Sequence, residues 1–200
     1  MCDVATIPGI AGLWAQTLGD ARICVAVIDG PVDTGHPAFD GASLARAEGA
    51  WPEERCDGPL GRHGTAVASV IFGQHHGPVP GVAPGCRGIS SPAFSDLRGK
   101  QSQLEMARAI EAAVESGAHV INISGGQLSP SGEAFDLLDH AVALCHERNV
   151  LIVAAAGNDG CFCDHVPAAL PSVLAVGALG DGGLPLASSN WGRTYQDHGL

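Results

Sequence analysis

The sequence has little positive charge. Lysine and arginine together number 10, against 21 aspartate and glutamate residues, and the formal net charge is −11. Nucleic acids and anionic membranes attract proteins through clustered basic side chains, and this chain has no basic stripe. We therefore expect neither nucleic acid nor a membrane as a partner, whereas a neutral or cationic peptide is compatible with the charge.

The chain also lacks a recognisable targeting or membrane-spanning segment. Residues 1–8 contain neither a basic start nor an apolar stretch, so no signal peptide is predicted. No apolar run approaches the roughly 20 residues of a membrane-spanning helix. The 7 cysteines are odd in number and follow no framework spacing. Together these absences predict a cytoplasmic protein with mostly reduced thiols.

What the chain does contain is typical of one α/β domain. Its 200 residues are 46% hydrophobic and only 16% charged, which suffices for one packed core. Continuous apolar runs predict buried strands at residues 23–28, 120–123, 150–154 and 173–176, with a weaker strand at 85–89. Helical periodicity predicts helices at residues 10–18, from residue 63 onward, at 102–116 and at 132–148. This alternation predicts a doubly wound, mostly parallel sheet, with function at the carboxyl ends of its strands.

The same periodicity predicts which helical side chains face the core. The helix that begins near residue 63 should direct Val70 inward, together with its neighbours at 67 and 71. Leu104 and Phe135 are predicted to face the core from the two later helices. Ser102 and Glu105 stand three residues apart and fit a capping box at a helix start.

Three polar residues occupy positions where a catalytic group could stand. Asp29 follows the first predicted strand, His63 lies at a predicted helix start, and Asn158 follows the strand at residues 150–154. A carboxylate can orient an imidazole, and an amide can donate a hydrogen bond to a developing oxyanion. Each residue also has an ordinary interpretation, as a turn aspartate, a surface histidine and a turn asparagine.

The order of the motifs around these residues resembles the subtilisin-like serine proteases, the subtilase family. The motifs are strand-Asp-Gly, His-Gly-Thr-x-Val-Ala, strand-Asn-x-Ser-x-Gly and Ala-Ala-Gly-Asn, and the resemblance spans residues 20–190. It implies that Asp29 is the triad acid, that His63 is the general base and that Asn158 donates to the oxyanion. It further implies that the segment formed by Ser124, Gly125 and Gly126 pairs with the substrate backbone.

Within the family, the greatest likeness is to the cyanobactin leader-cleaving proteases. The stretches that carry it are Ile23-Cys-Val-Ala-Val-Ile-Asp-Gly-Pro-Val-Asp33, Ala68-Ser-Val-Ile-Phe-Gly-Gln74, Ile121-Asn-Ile-Ser-Gly-Gly-Gln-Leu-Ser129, Ala156-Gly-Asn-Asp-Gly-Cys-Phe-Cys163 and His165-Val-Pro-Ala-Ala-Leu170. This likeness implies an endopeptidase that cuts a ribosomal precursor peptide at the N-terminal side of its core. We expect no cofactor. We also expect no metal, because residues 74–80 replace the family's usual structural calcium loop and lack carboxylates.

One part of the family pattern is missing. The family nucleophile lies in a Gly-Thr-Ser-x-Ala motif at a helix start, and no such motif occurs here. The serines after Asn158 are Ser172, Ser188 and Ser189, and none has the sequence context of the nucleophile. We therefore expect residues 1–200 to be a partial peptidase domain, truncated before the nucleophile helix and inactive alone. A partner that supplies the missing serine is compatible with the same pattern.

Three other interpretations remain open from the sequence. A chain without a nucleophile could bind peptides without cutting them, as a non-catalytic module. A dinucleotide-binding domain is disfavoured because the loop after Asp29 lacks the Gly-x-Gly-x-x-Gly pattern. Cys161, Cys163 and His165 invite a zinc site, but their spacing favours a loop beside the pocket or a disulfide to another cysteine.

Overall fold

A six-stranded sheet forms the centre of the protein. The computed structural model describes residues 4–48, 56–96, 102–180 and 183–192. The sheet strands are β1 (Cys24–Ile28), β2 (Leu44–Arg46), β3 (Arg87–Ser90), β4 (Val120–Ile123), β6 (Leu151–Ala155) and β8 (Val173–Val176). They lie in the order β2-β3-β1-β4-β6-β8, and every neighbouring pair is parallel. The predicted doubly wound parallel sheet is confirmed.

Two short strands form a separate ribbon beside the sheet. β5 (Gln127–Leu128) pairs antiparallel with β7 (His165–Val166). The helices are α1 (Ile10–Trp14), α2 (Pro59–Phe72), α3 (Gln103–Glu115) and α4 (Asp136–Glu147), with 3₁₀ turns at Val4–Thr6 and Pro37–Phe39. None of the helices in the described ranges has the length and apolar character needed to cross a bilayer.

The larger core lies between the sheet and the helices α3 and α4. Strand side chains such as Ile28, Ile121 and Ile152 are buried there against helical residues such as Ile110 and Leu138. Because successive side chains of a strand point to opposite faces, these residues define one face of the sheet.

The opposite face is covered unevenly. α2 packs Ala68 and Phe72 against Val27 of β1 in a second, smaller cluster. Farther along the same face, Leu174 and Val176 of β8 are 40% and 44% exposed. Among the described residues, α2 is thus the helix that shields this face, and it does not extend over β8.

An apolar cleft of about 730 Å³ continues from this exposed part of the sheet. Val176, Leu179, Leu186 and Trp191 contribute to its lining. Leu179 and Trp191 are 67% and 65% exposed, so large apolar side chains face water at this corner of the molecule.

Three helix boundaries differ from the sequence predictions by four residues, and one of them is the start of α4, which lies at Asp136 and not at residue 132. α1 ends at Trp14, before residue 18. Gly19 then has a φ of 106°, a backbone conformation that favours glycine because glycine has no Cβ atom. α2 begins at Pro59, before His63, because Gly58 and Pro59 supply a favourable helix start. His63 therefore lies in the second turn of α2 and not at the start of the helix.

Three predicted core positions are wrong. Phe135 is 70% exposed because α4 begins one residue later, at Asp136. Leu104 and Val70 are 40% and 37% exposed, whereas Met106 of α3 and Ala68 of α2 are buried. Ser102 is the N-cap of α3, since its side chain accepts a hydrogen bond from the Leu104 N–H at 3.2 Å, whereas the bond from Glu105 that completes a capping box stays a prediction.

Candidate active site

Asp29 is fixed at the carboxyl end of β1. Its side chain is almost completely buried, and Oδ1 accepts a hydrogen bond from the Gly30 N–H at 2.6 Å. Its backbone carbonyl accepts hydrogen bonds from the N–H groups of Ala93 and Phe94 at 2.9 and 3.2 Å. A buried carboxylate needs such partners, and here they also prevent the residue from changing position.

His63 lies directly against this carboxylate. Its Nδ1 is 2.8 Å from Oδ1 and 3.0 Å from Oδ2 of Asp29, while the side chain remains 52% exposed. An ionised carboxylate can only accept, so Nδ1 carries the proton of the neutral ring and Nε2 is the basic nitrogen. The two residues are 34 positions apart in sequence, yet the fold makes them an acid–base pair.

The carboxylate also changes the proton affinity of the imidazole. The hydrogen bond to Asp29 raises the pKa of His63, and this effect exceeds the opposing effect of partial burial. Stabilisation of the imidazolium is what a general base requires after it has taken a proton.

Two glycines allow α2 to approach β1 closely enough for this contact. A Cβ atom at Gly64 would overlap the carbonyl oxygen of Gly30, and a Cβ atom at Gly30 would overlap the carbonyl oxygen of Leu60. The backbones of the helix and of the loop after β1 are therefore in direct contact. The glycine that follows His63 in sequence is needed for space at this contact.

The start of α2 is held by side chains from other segments. The Asp96 carboxylate accepts a hydrogen bond from the Leu60 N–H at 3.1 Å, which satisfies a donor that the first helical turn leaves free. Thr65 Oγ1 accepts from the Asp33 N–H at 2.9 Å and donates to the Gly61 carbonyl at 2.8 Å. The bond from Asp33 attaches the helix to the loop that follows Asp29, and the bond to Asp96 attaches it to the segment after β3.

The segment at residues 124–126 continues from β4, between the strands that lead to Asp29 and Asn158. The Ser124 N–H donates to the Ile28 carbonyl at 3.2 Å, and the Asn122 amide donates to Ser124 Oγ at 2.7 Å. A Cβ atom at Gly126 would lie only 2.9 Å from the Val166 carbonyl oxygen. The backbone here is thus packed closely on the β5–β7 ribbon.

Asn158 lies beyond the carboxyl end of β6 and is exposed. Because β1, β4 and β6 are neighbouring parallel strands, Asp29, Ser124 and Asn158 follow the same edge of the sheet. Asn158 belongs to a tight turn at residues 157–160, which we call the Asn158 turn. Gly157 has a φ of 106°, a conformation that favours glycine.

The side chains that hold the Asn158 turn were not predicted from the sequence. Asn190 is buried, and its Oδ1 accepts a hydrogen bond from the Asp159 N–H at 2.8 Å. The Asp159 carboxylate accepts from Asn190 Nδ2 at 3.1 Å and lies 2.6 Å from His165 Nε2. Asn190 stands 31 residues after Asp159 within a Ser-Ser-Asn-Trp sequence typical of a turn, so no local pattern indicates this contact.

Cys161 and Cys163 form a disulfide with each other. Their sulfur atoms and a carboxylate oxygen of Asp159 lie within 4.8 Å of one another, as in some metal sites. Zinc requires thiolates, and the disulfide uses both sulfurs, so the zinc interpretation does not fit this arrangement. Cys24, Cys86 and Cys145 are buried free thiols, and burial raises the pKa of Cys145 to about 11.

A parallel α/β sheet with a buried aspartate paired to a helical histidine is the arrangement of the subtilisin-like proteases. The family model described as "Subtilase family" matches residues 20–198 of the chain. The chain therefore belongs to the subtilase family of serine proteases.

Particular relatives agree with this assignment. The chain is 55% identical to the solved prenylagaramide maturation protease PagA, with a TM-score of 0.86, covering 96% of this chain and 66% of that one. It is 58% identical to the patellamide maturation protease PatA, with a TM-score of 0.80, covering 89% of this chain and 64% of that one. The resemblance to the cyanobactin maturation proteases is confirmed.

A more distant relative shows the same family relation. The chain is 32% identical over 181 residues to the thermophilic serine proteinase of Bacillus sp. (strain AK1), covering 90% of this chain and 44% of that protein. The chain thus spans less than half the length of this protease and about two thirds of the solved maturation proteases.

Proposed function

We propose that this chain is part of a serine endopeptidase that removes the N-terminal leader from a ribosomal precursor peptide. The hydrogen-bonded pair of Asp29 and His63 at the edge of a subtilase sheet carries the proposal. The likeness to two proteases named for the maturation of prenylagaramide and patellamide supports the substrate class.

In the proposed mechanism, Asp29 holds the Nδ1–H tautomer of His63 and stabilises its imidazolium form. Nε2 of His63 accepts the proton of a serine hydroxyl as its oxygen attacks the scissile carbonyl, and later returns a proton to the leaving amine. The Asn158 amide donates a hydrogen bond to the oxyanion. The backbone at Ser124, Gly125 and Gly126 pairs with the extended substrate.

The serine itself is proposed to come from outside these 200 residues, which form one part of the peptidase domain. Ser172 precedes β8 at its amino end, and in a parallel sheet that is the edge opposite Asp29. Ser189 Oγ accepts a hydrogen bond from the Ala178 N–H at 3.0 Å. Ser172 therefore does not suit a nucleophile for His63, and Ser188 and Ser189 lack the sequence context of one. A cytoplasmic location remains a prediction from the sequence.

A non-catalytic peptide-binding module is the second candidate, because the chain contains no nucleophile motif. In that case the purified chain should bind a precursor peptide, leave it intact and keep its affinity after His63→Ala. Tight binding that is lost on His63→Ala would contradict this alternative.

The proposal can be tested in two steps. First, the open reading frame is read beyond residue 200. The absence of a Gly-Thr-Ser motif in the segment that follows would contradict the peptidase hypothesis. The extended protein is then incubated with a precursor peptide encoded beside its gene, and the products are measured by mass spectrometry. We expect one cut between leader and core that His63→Ala abolishes. Cleavage unaffected by His63→Ala would contradict the proposed mechanism.

A further inference from the structure

The Asn158 turn is held by a small polar network formed by Asp159, His165 and Asn190, which we call the Asp159 network. We propose that the Asp159 network positions the Asn158 amide for the oxyanion, so that its three members act as positioning residues. This inference rests on the proposed function, in which Asn158 is the oxyanion donor.

Asn190 holds the backbone on both sides of Asn158. Its N–H donates to the Gly157 carbonyl at 3.0 Å, and its Oδ1 accepts from the Asp159 N–H at 2.8 Å. Asn190 itself is only 5% exposed, so it is a fixed reference for the turn. The groups immediately before and after Asn158 are therefore bonded to one buried residue, the first to its backbone and the second to its side chain.

Asp159 and His165 complete the network. The Asp159 carboxylate accepts a hydrogen bond from Asn190 Nδ2 at 3.1 Å and lies 2.6 Å from His165 Nε2. The hydrogen bond from Asn190, and then that from His165, lower the pKa of Asp159. Asp159 therefore remains an acceptor for both partners at neutral pH.

His165 also supports the turn by packing. A Cβ atom at Gly157 would lie 3.0 Å from two ring carbons of His165, so the glycine backbone rests against the imidazole. A Cβ atom at Gly126 would lie 3.6 Å from Nδ1 of the same ring. His165 is thus placed between the Asn158 turn and the proposed substrate-binding segment, and its side chain is only 14% exposed.

Such support matters because an oxyanion donor works only when it is held in position before the reaction. Asn158 is exposed, and no hydrogen bond from its own side chain is observed in the described part of the chain. The placement of its amide therefore depends on the backbone of the turn. Small displacements of a catalytic group reduce the rate without preventing substrate binding.

The test is a double-mutant cycle in the protease that contains this chain, with a precursor peptide as substrate. His165→Phe keeps a ring against Gly157 and removes the hydrogen bond to Asp159, whereas His165→Gln restores a donor. We expect His165→Phe to lower kcat about tenfold with little change in KM, and His165→Gln to recover most of the loss. In an Asn158→Ala background, His165→Phe should cause no further loss.

The control is His140→Phe, on the exposed surface of α4, which should leave kcat unchanged. If the loss of kcat in the double variant equals the product of the two single losses, the proposal is overturned, because His165 would then act independently of Asn158. An unchanged kcat for His165→Phe would overturn it as well.

A second measurement does not depend on cleavage. In the extended protein, His165→Phe and Asn190→Ala should each increase hydrogen exchange at the Asp159 amide and shift the Asn158 side-chain NMR signals. If these signals stay unchanged, the Asp159 network does not position the amide. If the signals respond while the extended protein cuts no peptide, the proposed function fails and the positioning stands.

Discussion

The two parts of the candidate site are held in place in different ways. The pair of Asp29 and His63 is fixed by contact between backbones, where Gly64 of α2 meets Gly30 beyond β1. The Asn158 turn is fixed by side chains, since Asn190 and the Asp159 carboxylate hold it at an exposed corner. The position of the acid–base pair thus depends on close backbone packing, whereas the position of the Asn158 amide depends mainly on hydrogen bonds.

The largest expected effect concerns the acid–base pair. If the protease that contains this chain uses His63 as its base, His63→Ala should reduce kcat about a million-fold, the size of the loss seen in subtilisin. Asp29→Asn should cost about ten-thousand-fold, because it favours the wrong tautomer of the ring. Steady-state cleavage of a precursor peptide measures both. A loss below a hundredfold for His63→Ala would contradict the assignment.

The expected effect at Asn158 is smaller. Asn158→Ala removes one donor to the oxyanion and should lower kcat about 10²- to 10³-fold, with KM nearly unchanged. The same cleavage assay measures this loss. A rise in KM at constant kcat would mean that Asn158 binds the substrate and does not stabilise the transition state.

The third prediction tests whether close backbone packing holds the acid–base pair. Gly64→Ala places a methyl group against the Gly30 carbonyl and should lower the free energy of unfolding by about 1–3 kcal/mol. Gly12→Ala in α1 meets no atom within 4 Å and should be neutral or slightly stabilising. Chemical denaturation of the 200-residue chain measures both. Equal stability of the two variants would show that the contact can relax.

The smallest effect is the pH dependence that His63 contributes to stability. Its pKa is raised in the folded state, so the contribution is complete below the unfolded pKa and is lost as the pH rises through the folded pKa. The side chain is half exposed, so we expect only a few tenths of a kcal/mol. Unfolding of wild type and His63→Gln at pH 5 and pH 9 measures the difference.

NMR can test directly whether Asp29 raises the pKa of His63. Asp29→Asn removes the largest cause of the raised pKa, so the NMR titration midpoint of His63 should move to lower pH in that variant. A midpoint that does not move would mean that the carboxylate does not set the proton affinity of the ring.

Much of the sheet could be predicted from the sequence because most of its longer strands are runs of apolar residues, including β8, which is exposed on one face. β4 and β8 begin and end at the predicted residues, since continuous apolar runs mark such strands directly. β2, β5 and β7 were missed because two or three residues are too few to show a period.

The helix starts were harder to predict because a glycine in a sequence can indicate either a loop or a close contact within a helix. Gly61 and Gly64 suggest a loop by their helix propensity, but both lie within α2, where they are buried at close contacts. The sequence also offered no signal for the Asp159 network. Asn190 reaches Asp159 by a tertiary contact across 31 residues, and such contacts leave no local pattern.

The exposed end of the sheet has a consequence for the behaviour of this chain in solution. Val176, Leu179 and Trp191 present apolar surface beside β8, which pairs with β6 alone among the described strands. Such edges favour association between copies, whereas the net charge of −11 keeps the copies apart. We therefore expect copies of the isolated chain to associate more at high ionic strength, because added salt screens the repulsion between them and leaves the apolar surface exposed.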